Sequence, residues 1–313
     1  MKVLDKIGIN MRLPISVGMP VFNGGQWLPL AIESILDQTF KHFELIIADN
    51  ASLDNTEAVC RQYAKQDSRI RYYRNNYNIG GPANYNLVFR LSKGKYFKWA
   101  SANDLCSKEF LARCVSVLDA DKGVVLSYPM TKLMDDGGSV IEEYTDNLDL
   151  RDEDPCVRFK TFLQNVRLNN AMNGLIRASI LSKTMLMRPH LGEDLNLMAE
   201  LALYGKFAEI PQFLFFRRMG ELSATAQSKK TLLEHYDPKQ EGKLSLQSWY
   251  LHLDYFRAVR RAPLVSNQKR GLYQYVAKLM WWDKSTLASE LVHWMWAKHR
   301  KNQQKLSEDY DGQ

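Results

Sequence analysis

ISVGMPVFNGGQWLPLAIESILDQTFKHFELIIADNASLDNT (residues 15–56) decides the fold of this chain. It holds two short apolar runs, 15–21 and 43–49. Between them Trp27, Leu30, Ala31, Ile35 and Leu36 recur at helical spacing. Runs that are apolar throughout, rather than alternating, suit strands buried on both faces, and a strand–helix–strand order gives parallel pairing. Each run ends on a polar group, Asn23 just past the first and Asp49 at the close of the second. In an open α/β sheet ligands sit beyond the carboxyl ends of the strands. Polar residues placed there are candidates for function, although Asp49 could also serve only as a loop or helix cap.

The rhythm continues outward. Ser52-x-Asp54 can cap a helix over 55–65. RIRYY (69–73) reads as a third strand, and Gly80-Gly81-Pro82 opens a helix with proline in its first turn. KYFKWA (95–100) is a fourth strand and leads to Asn103-Asp104. A helix from about Lys108 to Asp119 and a strand VVLSYPM (124–130) follow. The reading is an α/β fold, a doubly wound, mostly parallel sheet flanked by helices. Gly137-Gly138 and the acidic 142–154 stretch predict a surface hairpin and loop, and NGLIRASIL (173–181) a short strand running into a helix. Glu193-Asp194 opens a helix with Leu195, Leu197, Met198, Leu201 and Leu203. KFAEIPQFLFFRR (206–218) reads as a closing pair of strands. From about Lys229 the pattern turns helical and aromatic. The expected division is a catalytic unit over 1–228 and a helical C-terminal extension over 229–313, with a disordered end at QKLSEDYDGQ (304–313).

The 313 residues can bury a substantial core. Lys and Arg number 42 against 35 Asp and Glu, for a formal charge of +7. Much of the excess lies late, from Arg257 to Lys305, which suits an anionic partner or a solvated helix face. Tryptophans beside these cations (Trp281, Trp282, Trp294, Trp296) can form an interfacial helix and a peripheral membrane contact, or can pack as core. Cys60, Cys106, Cys114 and Cys156 show no CxxC pair or zinc spacing and read as free thiols. The first fourteen residues lack the apolar stretch of a signal peptide, and no run approaches a spanning helix. The expected location is the cytoplasm, at most at the inner face of the membrane. The lack of a G-x-G-x-x-G after the first strand argues against a dinucleotide enzyme, and no motif supports a nucleic-acid partner.

Several motifs then fall in order: Pro20-Val21-Phe22-Asn23, Gln38-Thr39, Asp49-Asn50-Ala51-Ser52-x-Asp54-Asn55-Thr56, Asn78-Ile79-Gly80, YFKWASANDLCSKEFL (96–111), GEDLNLMAELALYGKFAEIP (192–211) and FFRRMGELSAT (215–225). Together, over roughly residues 14–225, they resemble the inverting family 2 glycosyltransferases of GT-A fold. The resemblance implies transfer of a sugar from a nucleoside-diphosphate sugar, most often UDP-linked, to a glycan or lipid-linked acceptor in cell-surface polysaccharide biosynthesis. It places Pro20, Val21, Phe22 and Asn23 around the nucleotide and Asp49 on its base or ribose. Arg74, Asn78 and Asn103 become further nucleotide contacts. It implies Mg²⁺ or Mn²⁺ on Asp104 and Asn103, a diphosphate contact at Arg217, and a general base at Asp194, with Glu193 as runner-up. Two departures stand out. Ser101-Ala102-Asn103-Asp104 replaces the family's Asp-Ala-Asp-Asp, and Met219 stands where a histidine is common. They support an alternative, a catalytically impaired nucleotide-sugar-binding protein on the same fold.

Overall fold

The computed structural model describes residues 14–220 and 246–311, apart from the side chains of 297 and 300–311. The predicted alternation appears as β1 (Ile15–Val21), α1 (Leu28–Leu36), β2 (Phe43–Asp49), α2 (Thr56–Gln66), β3 (Ile70–Arg74), α3 (Gly81–Arg90) and β4 (Tyr96–Trp99). There follow β5 (Leu105–Cys106), α4 (Phe110–Ala120), β6 (Val124–Met134), β7 (Val140–Tyr144), α5 (Pro155–Asn165) and a 3-10 turn (Asn170–Asn173). Then come β8 (Leu175–Arg177), α6 (Ala178–Leu181), α7 (Glu193–Tyr204) and β9 (Lys206–Arg218). The C-terminal helices are α8 (Gln247–Arg261), α9 (Ser266–Trp282) and α10 (Lys284–Asp311).

The strands form one sheet in the order β3-β2-β1-β4-β8-β6-β9-β5, with β7 paired to β6. β3, β2, β1 and β4 are parallel, as the strand–helix order requires. β8 is antiparallel to both β4 and β6, and β6 and β9 pair in parallel. The register sets Val21, Asp49 and Arg74 side by side at the strand ends. Every residue of β1 and β2 is buried because both faces are covered. Successive β2 residues point to opposite sides. Leu45 and Ile47 join α1 and α4 in one apolar cluster, and Ile46 and Ala48 join Val88, Phe97, Trp99 and α7 in the other.

One expectation is corrected. Residues 206–218 form a single strand, β9, and not a strand pair. Pro211 lacks a ladder N–H, and the register with β6 shifts at Pro129–Met130 and Met130–Thr131, so the strand bends past it without a turn. Helix α10 runs as far as Asp311, into the segment for which a disordered end is expected. The 228/229 division and residues 229–245 lie outside the described residues. Among those described, Tyr255, Ala258 and Val259 of α8 and Leu272 and Val276 of α9 share the apolar cluster of Val88, Phe97 and Leu197. No helix among the described residues is long and apolar enough to cross a membrane. All four cysteines are free thiols.

Candidate active site

The strand-end floor is tied together before any ligand enters it. Asp49 is fully buried. Its Oδ1 accepts from Ser52 N at 2.8 Å, and its Oδ2 accepts from the Tyr72 hydroxyl at 2.8 Å and from Arg74 at 2.6 Å. A carboxylate offers about four lone-pair positions, so three are in use. Arg74 reaches on to Ser52 O at 3.0 Å, and its side chain is 30% exposed. Asn23 has φ +50°, a left-handed geometry that asparagine tolerates better than most residues. Its Oδ1 accepts from Leu53 N at 2.8 Å, and its own N–H donates to Ser52 Oγ at 2.9 Å. Gly24 N donates to Thr56 Oγ1 and Gly25 N to Asp54 Oδ2, at 3.0 and 2.9 Å. Asn23, Ser52, Asp54 and Thr56 thus lace the β1 and β2 loops together. Pro20 and Val21 lie inside β1 with buried side chains, while Phe22 is half-buried at its end.

Next to this floor is a chain of asparagines. Asn50 Nδ2 donates to Asn78 Oδ1 at 2.7 Å, and Asn50 Oδ1 accepts from Asn75 Nδ2 (3.0 Å) and Ile79 N (2.9 Å). Asn75 also reaches Asn84, whose amide donates to Ala48 O at 2.8 Å. Asn78 Oδ1 takes a second bond from Gly80 N. Its carbonyl therefore shapes the loop before α3.

Asp104 comes to β9. Its Oδ1 accepts from Arg218 N at 2.9 Å. Burial pushes its carboxyl above the ordinary range, with the Arg218 amide and the nearby Arg217 charge pulling it back. The Arg218 side chain is a strap absent from the sequence expectations. It is 3% exposed, donates to the carbonyls of Asn103, Asp135 and Asp136 at 3.1, 2.8 and 2.8 Å, and lies 5.1 Å over the Trp27 ring. Arg217 is half-buried and donates to Leu168 O and Asn170 Oδ1, both at 2.7 Å.

Asp194 stands in the first turn of α7, after Gly192 at φ +80°. A Cβ there would meet Leu251 of α8 at 3.1 Å as well as strain the backbone. Asp194 is half-buried and Oδ2 accepts from Asn169 Nδ2 at 2.8 Å, whereas Glu193 is 7% exposed. Beside them, Asp146 Oδ1 accepts from Asn170 N at 3.1 Å. Burial pushes the Asp146 carboxyl up to about 6, against the pull of the Asn170 amide and Arg217. Asp146 Oδ2, Asn169 Oδ1 and Asn170 Nδ2 are buried without a protein partner, which is uncommon for buried polar groups.

Tyr85 of α3 joins the two ends of the site. Its hydroxyl is pushed up to about 12, first by burial and then by the charges of Asp104, Glu193 and Asp194, with Arg217 opposing. Hydrogen bonds join the same groups: Asp104 to Arg218 N, Arg217 to Asn170 Oδ1, and Asn169 to Asp194 Oδ2. The α3 interior gave the available signal. Asn84 and Asn86 are polar yet buried, and Asn86 pairs with both backbone groups of Met187 at 2.8 and 3.0 Å.

α8 braces the loop that delivers Asp194. Asp254 is fully buried, and its Oδ2 meets His190 Nε2 at 2.8 Å and Arg188 Nε at 3.0 Å, while Oδ1 accepts from Arg257 at 2.5 Å. Burial alone would raise the Asp254 carboxyl, but its bonds to His190 and Arg257 and the Arg188 charge hold it below the ordinary value. Gln247 Oε1 accepts from Leu191 N at 2.6 Å, and Asn196 donates to Leu251 O at 3.0 Å.

Among the described residues no three His, Cys, Asp or Glu side chains gather as a ready metal site. The donor set at 103–104 is one carboxylate and one amide. That does not make a protein-only cage. It fits an Mg²⁺ or Mn²⁺ ion held jointly by Asp104 and the phosphates of a bound nucleotide, a common arrangement for small hard cations.

The profile described as Glycosyl transferase family 2 matches residues 16–138. Over 135 residues the chain is 26% identical to TuaG of Bacillus subtilis, named as a teichuronic acid biosynthesis glycosyltransferase, covering 43% of this chain and 53% of TuaG. The chain spans 37% and 46% of the length of two further glycosyltransferase relatives, from Rickettsia typhi and Methanocaldococcus jannaschii. Its fold is similar to that of S. aureus TarS 1-349 in complex with UDP (TM-score 0.60, 14% identity, 83% of this chain and 69% of that one). It is also similar to the mannosyltransferase PcManGT of Pyrobaculum calidifontis in complex with GDP-Man and Mn²⁺ (TM-score 0.53, 16% identity, 92% and 89%). With the sheet order, the strand-end floor and this profile in agreement, residues 16–138 are a glycosyl transferase family 2 domain, set in a GT-A-like fold.

Proposed function

We propose that this protein transfers a sugar, with inversion, from a nucleoside-diphosphate sugar to a glycan or lipid-linked acceptor in cell-surface polysaccharide biosynthesis. UDP is the nucleotide we favour. The observation that carries the reading is the run of contacts linking Asp104 to Asp194: Arg218 N donates to Asp104, the adjacent Arg217 donates to Asn170 Oδ1, and Asn169, next to Asn170, donates to Asp194. A donor site and a base site then share one space, as in-line displacement requires.

In this reading Arg74, held in place by the buried Asp49, meets the edge of the base, and the backbone at Pro20, Val21 and Phe22 lies along the nucleoside. Asn23 and Asn78 hold the loops that shape this surface. Arg217 pairs with the diphosphate as a charge-assisted donor. Asp104, with Asn103 beside it, would hold a divalent ion, which would supply neutralisation of the leaving phosphates. Asn169 orients Asp194 through Oδ2, and the other oxygen takes the acceptor hydroxyl's proton as that hydroxyl attacks the anomeric carbon. Asp146, Asn169 and Asn170 offer unpaired acceptors and a donor next to the base, a set suited to sugar hydroxyls. Residues 1–228 carry the chemistry, and the extension from 229 braces it through Asp254.

The decisive experiment is a thermal-shift screen of nucleotide sugars with and without Mn²⁺, followed by a transfer assay on wild type and Asp194→Asn. Stabilisation by one donor class, with turnover lost in the variant, supports the reading. The single carboxylate at 101–104 favours a second one, a nucleotide-sugar-binding protein without turnover. Donor binding with no transfer or hydrolysis by the wild type would select it.

A further inference from the structure

α10 docks by one face and carries an apolar stripe on another. Leu287 is buried against α8, where Trp249 Nε1 donates to its carbonyl at 3.0 Å. Glu290 accepts from Ser248 N at 3.0 Å and Ser248 Oγ at 2.9 Å. Leu291 and Met295, four apart, are flanked by Val292 and Trp296, and these four side chains are 37%, 49%, 47% and 63% exposed. At 3.6 residues per turn their midline lies roughly 140° around the helix from Leu287 and Glu290. Trp281 and Trp282, at the end of α9, add two more rings at 66% and 61% exposure. Large apolar side chains gathered in this way mark an interaction surface.

The charges around the stripe are sorted. Residues 266–299 contain five Lys or Arg and two acids, Asp283 and Glu290. Both acids have partners on α8, Glu290 at Ser248 and Asp283 with its Oδ2 3.4 Å from His252 Nε2. Three of the five cations lie with the indoles instead. Lys284 sits 4.2 Å over Trp281, Lys278 4.8 Å over Trp282 and Lys298 5.1 Å over Trp294.

We propose that this face docks on an anionic lipid bilayer, with the α10 stripe and the α9 tryptophans at the headgroup–acyl boundary and the lysines at lipid phosphates. Indoles with an apolar body and a polar edge suit that boundary, and lysines beside them are drawn to anionic headgroups. α10 is not apolar enough to span, so it lies in the surface. A nucleic acid would leave Leu291, Val292 and Met295 without a match. A two-fold contact with a second copy would set the same lysines against one another. The docking stands on α9 and α10 alone and does not depend on the catalytic reading. Where both hold, the bilayer brings a lipid-linked acceptor to the enzyme.

The test is co-sedimentation of the full chain with vesicles of phosphatidylcholine alone and of phosphatidylcholine with one quarter phosphatidylglycerol. Binding to the anionic vesicles is expected to be about tenfold or more stronger, to weaken in high salt and to be accompanied by a blue shift of tryptophan emission. The exposed-site variant Trp281→Ser/Trp282→Ser/Met295→Ser should lose that binding while keeping the wild-type melting temperature, and Lys278→Glu/Lys284→Glu should lose the lipid preference. No anionic-vesicle binding, or binding unchanged in the triple variant, overturns the proposal. So does a stable dimer by light scattering that the triple variant dissolves, since the face would then be a self-interface. Absence of transferase activity would count against the catalytic reading only and would leave the vesicle result standing.

Discussion

Asp194 and Glu193 are adjacent acids at a helix start, and their surroundings separate them. Asp194 is half-buried with one oxygen fixed by Asn169, while Glu193 is nearly enclosed. Asp194→Asn should therefore lower transfer by about 10²–10⁴-fold, the usual worth of a positioned base, with donor affinity unchanged in calorimetry. A matching loss of donor affinity would instead make Asp194 a binding residue. Asp49 and Arg74 have the opposite profile. Arg74→Ala should raise the donor KM by about tenfold with little change in kcat, as expected for contacts kept equally in ground and transition states. These residues show what a sequence can disclose. The placement of Asn23 and Asp49 at strand ends, and of Asp104 in the loop after β4, was legible because the end of a parallel strand is a defined place in an open sheet. Tyr85, Asn169 and Asp146 were not. They reach the site only because α3 crosses the sheet and the segment before β8 folds back toward α7, and no local spacing encodes either crossing.

At the scale of elements, the junction of α7 with α8 sets the position of Asp194, the proposed base. Glu200 of α7 is fully buried with Arg261 of α8 at 3.2 Å, and burial pushes its carboxyl up to about 7. The folded protein thus keeps a proton that the unfolded chain releases near 4.5. The stability contribution is full below that value and falls as pH rises towards 7. Glu200→Gln keeps an acceptor for Met185 N and should be more stable than wild type at pH 8 by about 1–3 kcal/mol, with the difference gone near pH 4. Thermal melts across this range check it. Asp254→Ala removes the shared partner of His190, Arg188 and Arg257. Breaking a buried pair is costly, but both arginines are about 40% exposed and can rehydrate. The expected loss is about 2–3 kcal/mol in denaturant unfolding, together with reduced turnover from the loosened Asp194 loop. The order of strands and helices was readable from apolar periodicity. The unbroken β9 was not, because Pro211 reads as a break on its own and is bridged only by pairing with β6.

For the molecule as a whole, the metal question becomes one of linkage. A single carboxylate at 104 gives a cation little hold until phosphates arrive. Mn²⁺ alone should leave the melting temperature unchanged, UDP alone should raise it slightly, and both together should raise it by more than the sum. Additive shifts would mean that ion and nucleotide bind independently. The same global view explains why the aromatic C-terminal region could be read two ways. Composition does not say which side of a helix faces its neighbour. In the fold, Leu272 and Val276 turn into the common core and Trp281 and Trp282 turn out. The Asp104 contact carries one more consequence. It is made by the peptide N–H of residue 218, not by a side chain. Of the twenty standard residues, nineteen supply that donor, and only proline lacks it. Drift at 218 can erode the strap to 103, 135 and 136 while the grip on the acid survives, so this position separates mutational tolerance at the acid from integrity of the loops around it.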